Sequence, residues 1–189
     1  MKLEPYAERS HKKMSEVLLS PKNLGPKIHY FMIRGGKSKT NLTVLEPGKI
    51  GKEYIKTYGH YHVGKLEETY TILQGNGFVI IQERKKDKNN KAIDSEIKNF
   101  KAIKVKISDK VFIPSGWGHL LVNTGKTWLI ASDNSPVNFD SRNSISMPGH
   151  ADYKPFKKLH GAGYYVVEKN GKPALQKNSN YSYVPKIKS

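Results

Sequence analysis

Apolar and polar positions alternate in short runs along most of the chain, and glycine and proline separate the runs. Runs of this kind predict strands at 27–34, 40–48, 53–63, 68–77, 77–84, 102–108, 111–116, 119–125 and 127–132. The alternation is clearest in the run AIKVKIS, where Ile103, Val105 and Ile107 predict a buried face and the lysines between them an exposed one. Many short, evenly spaced strands with Gly and Pro turns predict an all-β sandwich or closed barrel.

The two ends of the chain differ from this pattern. Helical spacing over 7–19, with Met14, Val17 and Leu18 on one side, predicts a short N-terminal helical segment. Near the other end, an Asn-Gly pair between apolar runs predicts a hairpin over 164–175.

Two polar stretches predict irregular structure. The Lys- and Asn-rich stretch 85–100 predicts an exposed loop outside any site, and the polar tail 176–189 predicts loosely held chain. We expect a single domain, 1–189, with a barrel core over about 27–132 and a C-terminal extension over 133–189.

Composition restricts the function classes. The 189 residues carry a formal net charge of +17 and no cysteine, which excludes disulfides, thiolate metal sites and a cysteine nucleophile. Nothing approaches a membrane span and the N-terminus lacks an apolar signal core, so we expect a soluble, cytoplasmic protein. The lysines are spread over every segment, which disfavours nucleic acid as a partner and favours small anions such as phosphorylated metabolites.

One constellation of residues suggests metal chemistry. His60 and His62 lie two positions apart, so on a strand their imidazoles point the same way. Glu68 begins the next strand and can return to the same point, and His119 opens a later strand after a Pro-Gly turn. Three imidazoles and one carboxylate suit a divalent transition metal with an open coordination position. Nitrogen and oxygen donors suit Fe(II), Mn(II), Ni(II), Co(II) and Zn(II) alike, and of these we expect Fe(II).

The same residues fit the two-part cupin pattern. Residues 60–75 give His-x-His, Glu and Gly at the required intervals, and 114–123 give Pro-x-Gly, His and Asn. The departure is Ser108, where the pattern usually has glycine, which affects a turn and no ligand. The predicted fold is therefore a cupin, a double-stranded β-helix or jelly-roll barrel.

The residues around these motifs narrow the family. EPGKIGKEYIKTYGHYH (46–62), ETYTILQGNG (68–77) and VFIPSGWGHLLVNTG (111–125) resemble the archaeal-type, cupin-fold glucose-6-phosphate isomerases. The resemblance runs over 28–132 and returns at GHADY (149–153) and GYYVVEKNG (163–171). It implies a metal-dependent aldose–ketose isomerase of glycolysis and gluconeogenesis that interconverts glucose 6-phosphate and fructose 6-phosphate, and it supports a homodimer.

The resemblance also implies roles for individual residues. The metal ligands would be His60, His62, Glu68 and His119. Glu67 is a rival to Glu68, because the spacing from His62 to Glu68 is one residue shorter than the commonest form in the isomerase family. Glu68 keeps the register to Tyr70 and is preferred; Glu68 and Tyr70 are the expected catalytic residues. Phosphate would contact Thr43, Thr57 and Gly59, and further substrate contacts would come from Tyr30, His150 and Tyr153.

Alternatives stay open at this stage. Hydrogen could move between the sugar carbons as a proton carried by Glu68 or directly as a hydride. Another metal-dependent cupin enzyme, such as a mannose-6-phosphate isomerase or an oxygenase, uses a similar ligand set. A non-catalytic sugar- or anion-binding cupin is a further alternative.

Overall fold

Antiparallel strands make up most of the chain in the computed structural model, which describes residues 7–34, 41–135 and 150–187. The strands are β1 Ala7–Ser10, β2 Ile28–Ile33, β3 Asn41–Leu45, β4 Lys49–Ile50, β5 Glu53–Tyr54, β6 Tyr61–His62, β7 Glu68–Gln74, β8 Asn76–Lys86, β9 Ala92–Lys106, β10 Lys110–Ile113, β11 Trp117–Asn123, β12 Leu129–Asp133, β13 Ala151–Asp152, β14 Tyr164–Lys169 and β15 Lys172–Lys177. Two short helices, α1 His11–Met14 and α2 Lys154–Lys158, and a 3-10 turn, Ser15–Val17, accompany them.

Two sheets form the barrel. One has the order β1-β2-β3-β12-β7-β10, and the other has the order β11-β8-β9. In the second sheet, the segment that contains Lys56 and His60 pairs with β11 through isolated antiparallel bridges, Lys56 to Val122 and His60 to His119. Side chains of both sheets share one core, from Tyr30 and Leu45 on the first to Val79 and Leu121 on the second. This is the predicted cupin barrel, and the all-β prediction is confirmed.

The inner face of the first sheet is set by strand register. On β7 the buried positions are Glu68, Tyr70 and Ile72, which alternate with Thr69 and Thr71. β10 pairs Ile113 opposite Glu68 and Val111 opposite Tyr70, and both of these partners are buried. The period of two along β7 therefore places a carboxylate and a phenol inside the barrel beside apolar neighbours.

The stretch 85–100 is not a loop, and that prediction was wrong. β8 and β9 continue through it as a long antiparallel hairpin whose turn lies at 87–91. Opposite charges pair across the two strands, since Arg84 lies 2.5 Å from Asp94 and Lys85 lies 3.1 Å from Glu96. Ile97 is fully buried against C-terminal residues. Cross-strand charge pairs and one buried anchor stabilise strands that are polar in composition.

The tail is also held more firmly than predicted. Tyr181 and Val184 are buried against Ile97, and Asn178 donates to the carbonyls of Leu159 and Ala162 at 2.8 and 2.9 Å. A polar tail can therefore be anchored by a few apolar residues and one buried amide.

Two smaller predictions also need correction. Ile107 is 60% exposed because the strand ends at Lys106 and the chain turns, with Ser108 at φ +73°. Ser108 thus adopts the left-handed backbone for which the cupin pattern usually has glycine. Within 7–19, Ala7–Ser10 form β1 instead of helix, because they pair with β2. Met14, Val17 and Leu18, which were predicted to share one side, are all buried.

The C-terminal hairpin is confirmed. β14 and β15 pair in register on either side of Asn170 and Gly171, whose φ values are +52° and +73°. Part of the predicted extension 133–189, namely 136–149, lies outside the described residues. In the described ranges no helix combines the length and apolar character needed to cross a bilayer.

Candidate metal centre

A backbone bridge joins the two halves of the motif. The amide of His60 donates to the carbonyl of His119 at 3.2 Å, and the amide of His119 donates back at 3.0 Å. The segment Thr57–His60 thereby lies beside β11, with the Thr57 amide donating to the Leu121 carbonyl. Mutual pairing of this kind brings the two side chains to one face of the sheet.

Four candidate ligand atoms converge inside the barrel. One donor atom each of His60, His62, Glu68 and His119 lies within 4.8 Å of all the others. Metal bonds to nitrogen and oxygen of about 2.0–2.2 Å place opposite ligands about 4 Å apart, so a small contraction completes a coordination shell. Glu67 is exposed, so it is Glu68 that the structure brings into the cluster.

The polar contacts of the cluster fit a cation. Glu68 Oε2 lies 2.9 Å from His62 Nε2 and 3.1 Å from His119 Nε2. The buried His119 Nε2 nevertheless makes no hydrogen bond. An imidazole nitrogen that faces a carboxylate without a hydrogen bond keeps its lone pair available to a cation. These residues therefore fit a transition-metal ion, which would use that lone pair.

Burial and close neighbours shift the pKa values of His60 and Glu68. Burial, followed by the neighbouring rings of His119 and His62, lowers the pKa of His60 well below its ordinary value. Burial alone would raise the pKa of Glu68, but the imidazoles of His119 and His62 hold it below its ordinary range. A neutral His60 imidazole beside an ionised Glu68 carboxylate matches the protonation states in which these two side chains bind a metal. His60 and His62 are partly exposed, so the cluster has an accessible side.

Gly59 sets the position of His60. Its φ is +84°, and a Cβ at this position would lie 2.6 Å from the ring of Phe156. Phe156 is fully buried and packs on Tyr61, so it cannot move aside cheaply. Glycine is required here on two counts, backbone conformation and close packing.

Tyrosines surround the cluster. The Tyr70 ring lies edge-on to His119 with 5.5 Å between centroids, and burial followed by the charge of Glu68 raises the pKa of Tyr70. The buried Tyr30 accepts a hydrogen bond at its hydroxyl from the Tyr58 amide at 3.4 Å. Both phenols therefore stay protonated and can donate to an oxygen of a bound molecule.

The two threonines come from different segments, Thr43 from β3 and Thr57 from the segment beside β11. Thr43 is buried on β3 and pairs with Ala131, which places it on the inner face with Tyr70 and Ile72. Thr57 accepts a hydrogen bond at Oγ1 from the Leu121 amide at 3.0 Å, and its hydroxyl proton remains to be donated elsewhere.

The two C-terminal residues of the predicted site, His150 and Tyr153, lie near the strand that carries the histidine pair. β13 pairs with β6, and the carbonyl of His150 accepts from the Val63 amide at 2.8 Å. The ring of Tyr153 lies 5.4 Å from that of His60 and 5.3 Å from that of Tyr58. Tyr153 is thus at the cluster, while His150 is tied to the strand that carries the histidine pair.

Three charged residues near the site were missed by the sequence analysis. Arg9 donates to the Tyr153 hydroxyl at 3.4 Å, and Arg34 lies 3.8 Å from Asp133. Asp133 is buried and sits opposite Tyr70 in the register of β12 and β7. No motif marks these residues, because their place in the barrel follows from strand pairing. The strand parity of β2 was the available signal for Arg34, since Tyr30 lies four positions earlier.

The fold and the cluster together define a cupin with a candidate transition-metal centre. Residues 31–184 match the family model described as glucose-6-phosphate isomerase. The chain is 30% identical to the glucose-6-phosphate isomerases of Thermococcus litoralis and Pyrococcus furiosus, in each case over 141 residues. It therefore belongs to the glucose-6-phosphate isomerase family, and the resemblance drawn from its motifs, to the archaeal-type members, is confirmed.

The coverage of the relatives is partial. Each alignment takes in 74% of this chain and 62% of the relative, so the match spans less than two thirds of those proteins. Among solved structures, a protein described as a predicted oxalate decarboxylase from Thermotoga maritima aligns with a TM-score of 0.43 at 21% identity. That alignment covers 70% of this chain and 90% of the other.

Proposed function

We propose that this chain is a metal-dependent aldose–ketose isomerase that interconverts glucose 6-phosphate and fructose 6-phosphate. The observation that carries the proposal is the convergence of His60, His62, Glu68 and His119 on one point inside the barrel. Membership of the isomerase family supports the reaction, and the names of the relatives support a hexose phosphate as the substrate.

The ligands would be those four side chains, and no cysteine is available to compete. Nitrogen and oxygen donors suit Fe(II), which we expect as the native metal, and also Mn(II), Ni(II), Co(II) and Zn(II). When bound, a divalent ion supplies Lewis acidity toward the carbonyl and hydroxyl oxygens of carbons 1 and 2. A homodimeric assembly and a cytoplasmic location stay predictions.

The protein groups then handle the hydrogen and the sugar oxygens. Isomerisation moves one hydrogen between carbons 1 and 2 and one proton between their oxygens. Glu68 is the candidate base, taking the proton from one carbon and returning it to the other. Tyr70, a protonated phenol beside His119, can donate a hydrogen bond to a sugar oxygen. Tyr153, 5.4 Å from His60, covers the same side of the site.

The remaining expected contacts would hold the substrate at its ends. The Thr43 and Thr57 hydroxyls and the Gly59 amide are donors of the kind that phosphate accepts. Tyr30 lies against the segment that carries Thr57 and Gly59, because its hydroxyl accepts from the Tyr58 amide. His150 is a further substrate contact in this proposal.

A coupled assay for conversion of fructose 6-phosphate to glucose 6-phosphate tests the proposal. It is run on purified protein, after chelation, and after separate addition of Fe(II), Mn(II), Ni(II), Co(II) and Zn(II). Loss of activity on chelation and its return with a metal support the proposal. Absence of activity with every metal, in protein shown to bind one, overturns it.

The route of the hydrogen is tested in deuterium oxide. Deuterium at carbon 2 of the product supports Glu68 as the proton carrier. Complete retention of the original hydrogen removes that support and favours direct transfer between the carbons, with Glu68 acting only as a ligand. Glu68 is one of the ligands, and a carboxylate held by a cation is a weakened base, so both results are chemically reasonable.

A further inference from the structure

Arg9 directs a positive charge toward the inside of the barrel. β1 pairs with β2 so that Arg9 lies opposite Tyr30, and Ala7 lies opposite Met32. Directly opposed residues on antiparallel strands share a face of the sheet. Tyr30 and Met32 are buried on the inner face, so Arg9 belongs to the inner face as well.

The guanidinium of Arg9 has no counter-charge in the described part of the chain. Its Nη2 donates to the Tyr153 hydroxyl at 3.4 Å and its Nη1 to the Glu8 carbonyl at 3.2 Å. Over the same described residues the other arginines are paired, Arg34 with Asp133 and Arg84 with Asp94. Arg9 is partly buried and offers five N–H donors, so most of its capacity for binding an anion is unused.

Arg9 is one aromatic ring away from the metal cluster. Its Cζ lies 5.6 Å from the centre of the Tyr153 ring, whose centre is 5.4 Å from that of His60. It is also close enough to Tyr30 to interact with it electrostatically. Because the Tyr30 hydroxyl accepts from the Tyr58 amide, both Arg9 and the Thr57–Gly59 segment lie next to Tyr30.

We propose that Arg9 binds the phosphate group of the substrate and sets the preference for a phosphorylated sugar. The inference rests on the proposed isomerase function. The reacting carbons of a hexose 6-phosphate lie at the opposite end of the sugar from its phosphate, so the phosphate must be held away from the cluster. Hydroxyl and amide donors alone leave a phosphate dianion without neutralisation, and a guanidinium supplies charge and two parallel hydrogen bonds. Arg9 precedes the family match, which begins at residue 31.

The test compares Arg9→Gln, Arg9→Lys and the control Lys12→Gln. Lys12 is exposed, and its replacement removes the same unit of charge close by in sequence. Loss of a charge-assisted hydrogen bond predicts a KM for fructose 6-phosphate about 10–100-fold higher in Arg9→Gln, with kcat within about threefold. Inhibition by inorganic phosphate should weaken in parallel. Arg9→Lys should recover part of both, and Lys12→Gln should match the wild type.

Contrary results are equally definite. An unchanged KM and phosphate inhibition in Arg9→Gln, in protein that melts like the wild type, overturns the proposal, as does an equal effect of Lys12→Gln. If the wild type shows no isomerase activity, the proposed function fails, and calorimetric titration of the metal-loaded protein with inorganic phosphate decides the role of Arg9 alone. Weaker binding in Arg9→Gln than in Lys12→Gln supports the site, and equal binding overturns it.

Discussion

His60 and His119 exchange both of their backbone hydrogen bonds, at 3.2 and 3.0 Å, although they belong to separate motifs of the sequence. Their rings lie 4.4 Å apart between centroids. The barrel thus fixes the separation of two candidate ligands through the backbone, and the side chains need little rotamer adjustment. A preorganised donor set of this kind is what a metal centre requires.

Glu68→Gln should remove metal binding. An amide is a weaker ligand than a carboxylate and leaves the cluster without its negative charge, so the loss of metal affinity should exceed the 10–100-fold typical of outer-shell changes. Metal content after dialysis, measured by atomic emission, checks this. The control is Glu67→Gln, which alters the exposed neighbour and should keep full occupancy. Equal retention of metal by the two variants would show that Glu68 is not a ligand.

Gly59→Ala should unfold more easily and bind metal poorly. The new Cβ meets the buried Phe156 ring at 2.6 Å and also strains a residue at φ +84°. We expect a loss of at least about 2 kcal/mol in the free energy of unfolding, from overpacking and backbone strain together.

Gly116→Ala is the matched control for that variant. Gly116 has φ +79°, but a Cβ there meets nothing within 4 Å. Strain alone should cost about 1 kcal/mol, and metal content should be unchanged. Urea unfolding of both variants separates backbone strain from the contact with Phe156. Equal losses in the free energy of unfolding would rule out the Phe156 contact as the cause.

Lys56→Met should be strongly destabilising. Lys56 Nζ lies 2.5 Å from Glu53 Oε1 and 2.6 Å from the Val17 carbonyl, with side chains 3% and 1% exposed for the ion pair. Removing one partner leaves a buried carboxylate uncompensated, which costs about 3–5 kcal/mol. Lys49→Met is the control, because the Lys49–Glu168 pair is 2.6 Å long but about a third exposed. It should cost less than about 1 kcal/mol. Similar losses in the two variants would contradict this account.

Stability should fall in mild acid because of His29. This fully buried imidazole receives a hydrogen bond from, or donates one to, His11 at 2.9 Å. Burial, then the nearby His11 and Lys56, lowers the pKa of His29 to about 4. Its ordinary value is about 6.5, so the unfolded chain takes up the proton first as the pH falls.

The stabilisation by neutral His29 is therefore complete above about pH 6.5 and is lost between about pH 6.5 and 4, amounting to about 3 kcal/mol. Urea unfolding at intervals across this range checks the slope. His29→Gln should be less stable at neutral pH and should lose less on acidification than the wild type. An identical pH dependence in both proteins would refute the assignment.

The metal cluster was predictable because local rules govern it. His60 and His62 share a face through the period of two, and Glu68 is separated from Glu67 by the same parity, since Glu68 and Tyr70 both face inward. Only His119, the fourth candidate ligand, had to be predicted from a second motif, at 114–123. Where the chemistry depends on alternation within one strand, a single sequence is informative.

Features that depend on pairing between distant strands were not predictable. The inward direction of Arg9 follows from its register with Tyr30, which helical spacing in 7–19 obscures. In the hairpin over 85–100, Arg84 and Lys85 meet Asp94 and Glu96 across the two strands. From composition alone such charged side chains are expected to be solvated. Only the pairing of β8 with β9 shows that the basic and acidic side chains face one another.

The bridge between His60 and His119 also has a consequence for folding. It joins segments far apart in the chain, so the complete donor set forms only when the barrel closes, while the unfolded chain retains the local His-x-His pair. An ion that needs all four donors therefore binds the native state and its late precursors. The bound ion should therefore slow unfolding more than it speeds folding. Occupancy of the metal centre would then set how long the folded barrel lasts before it unfolds.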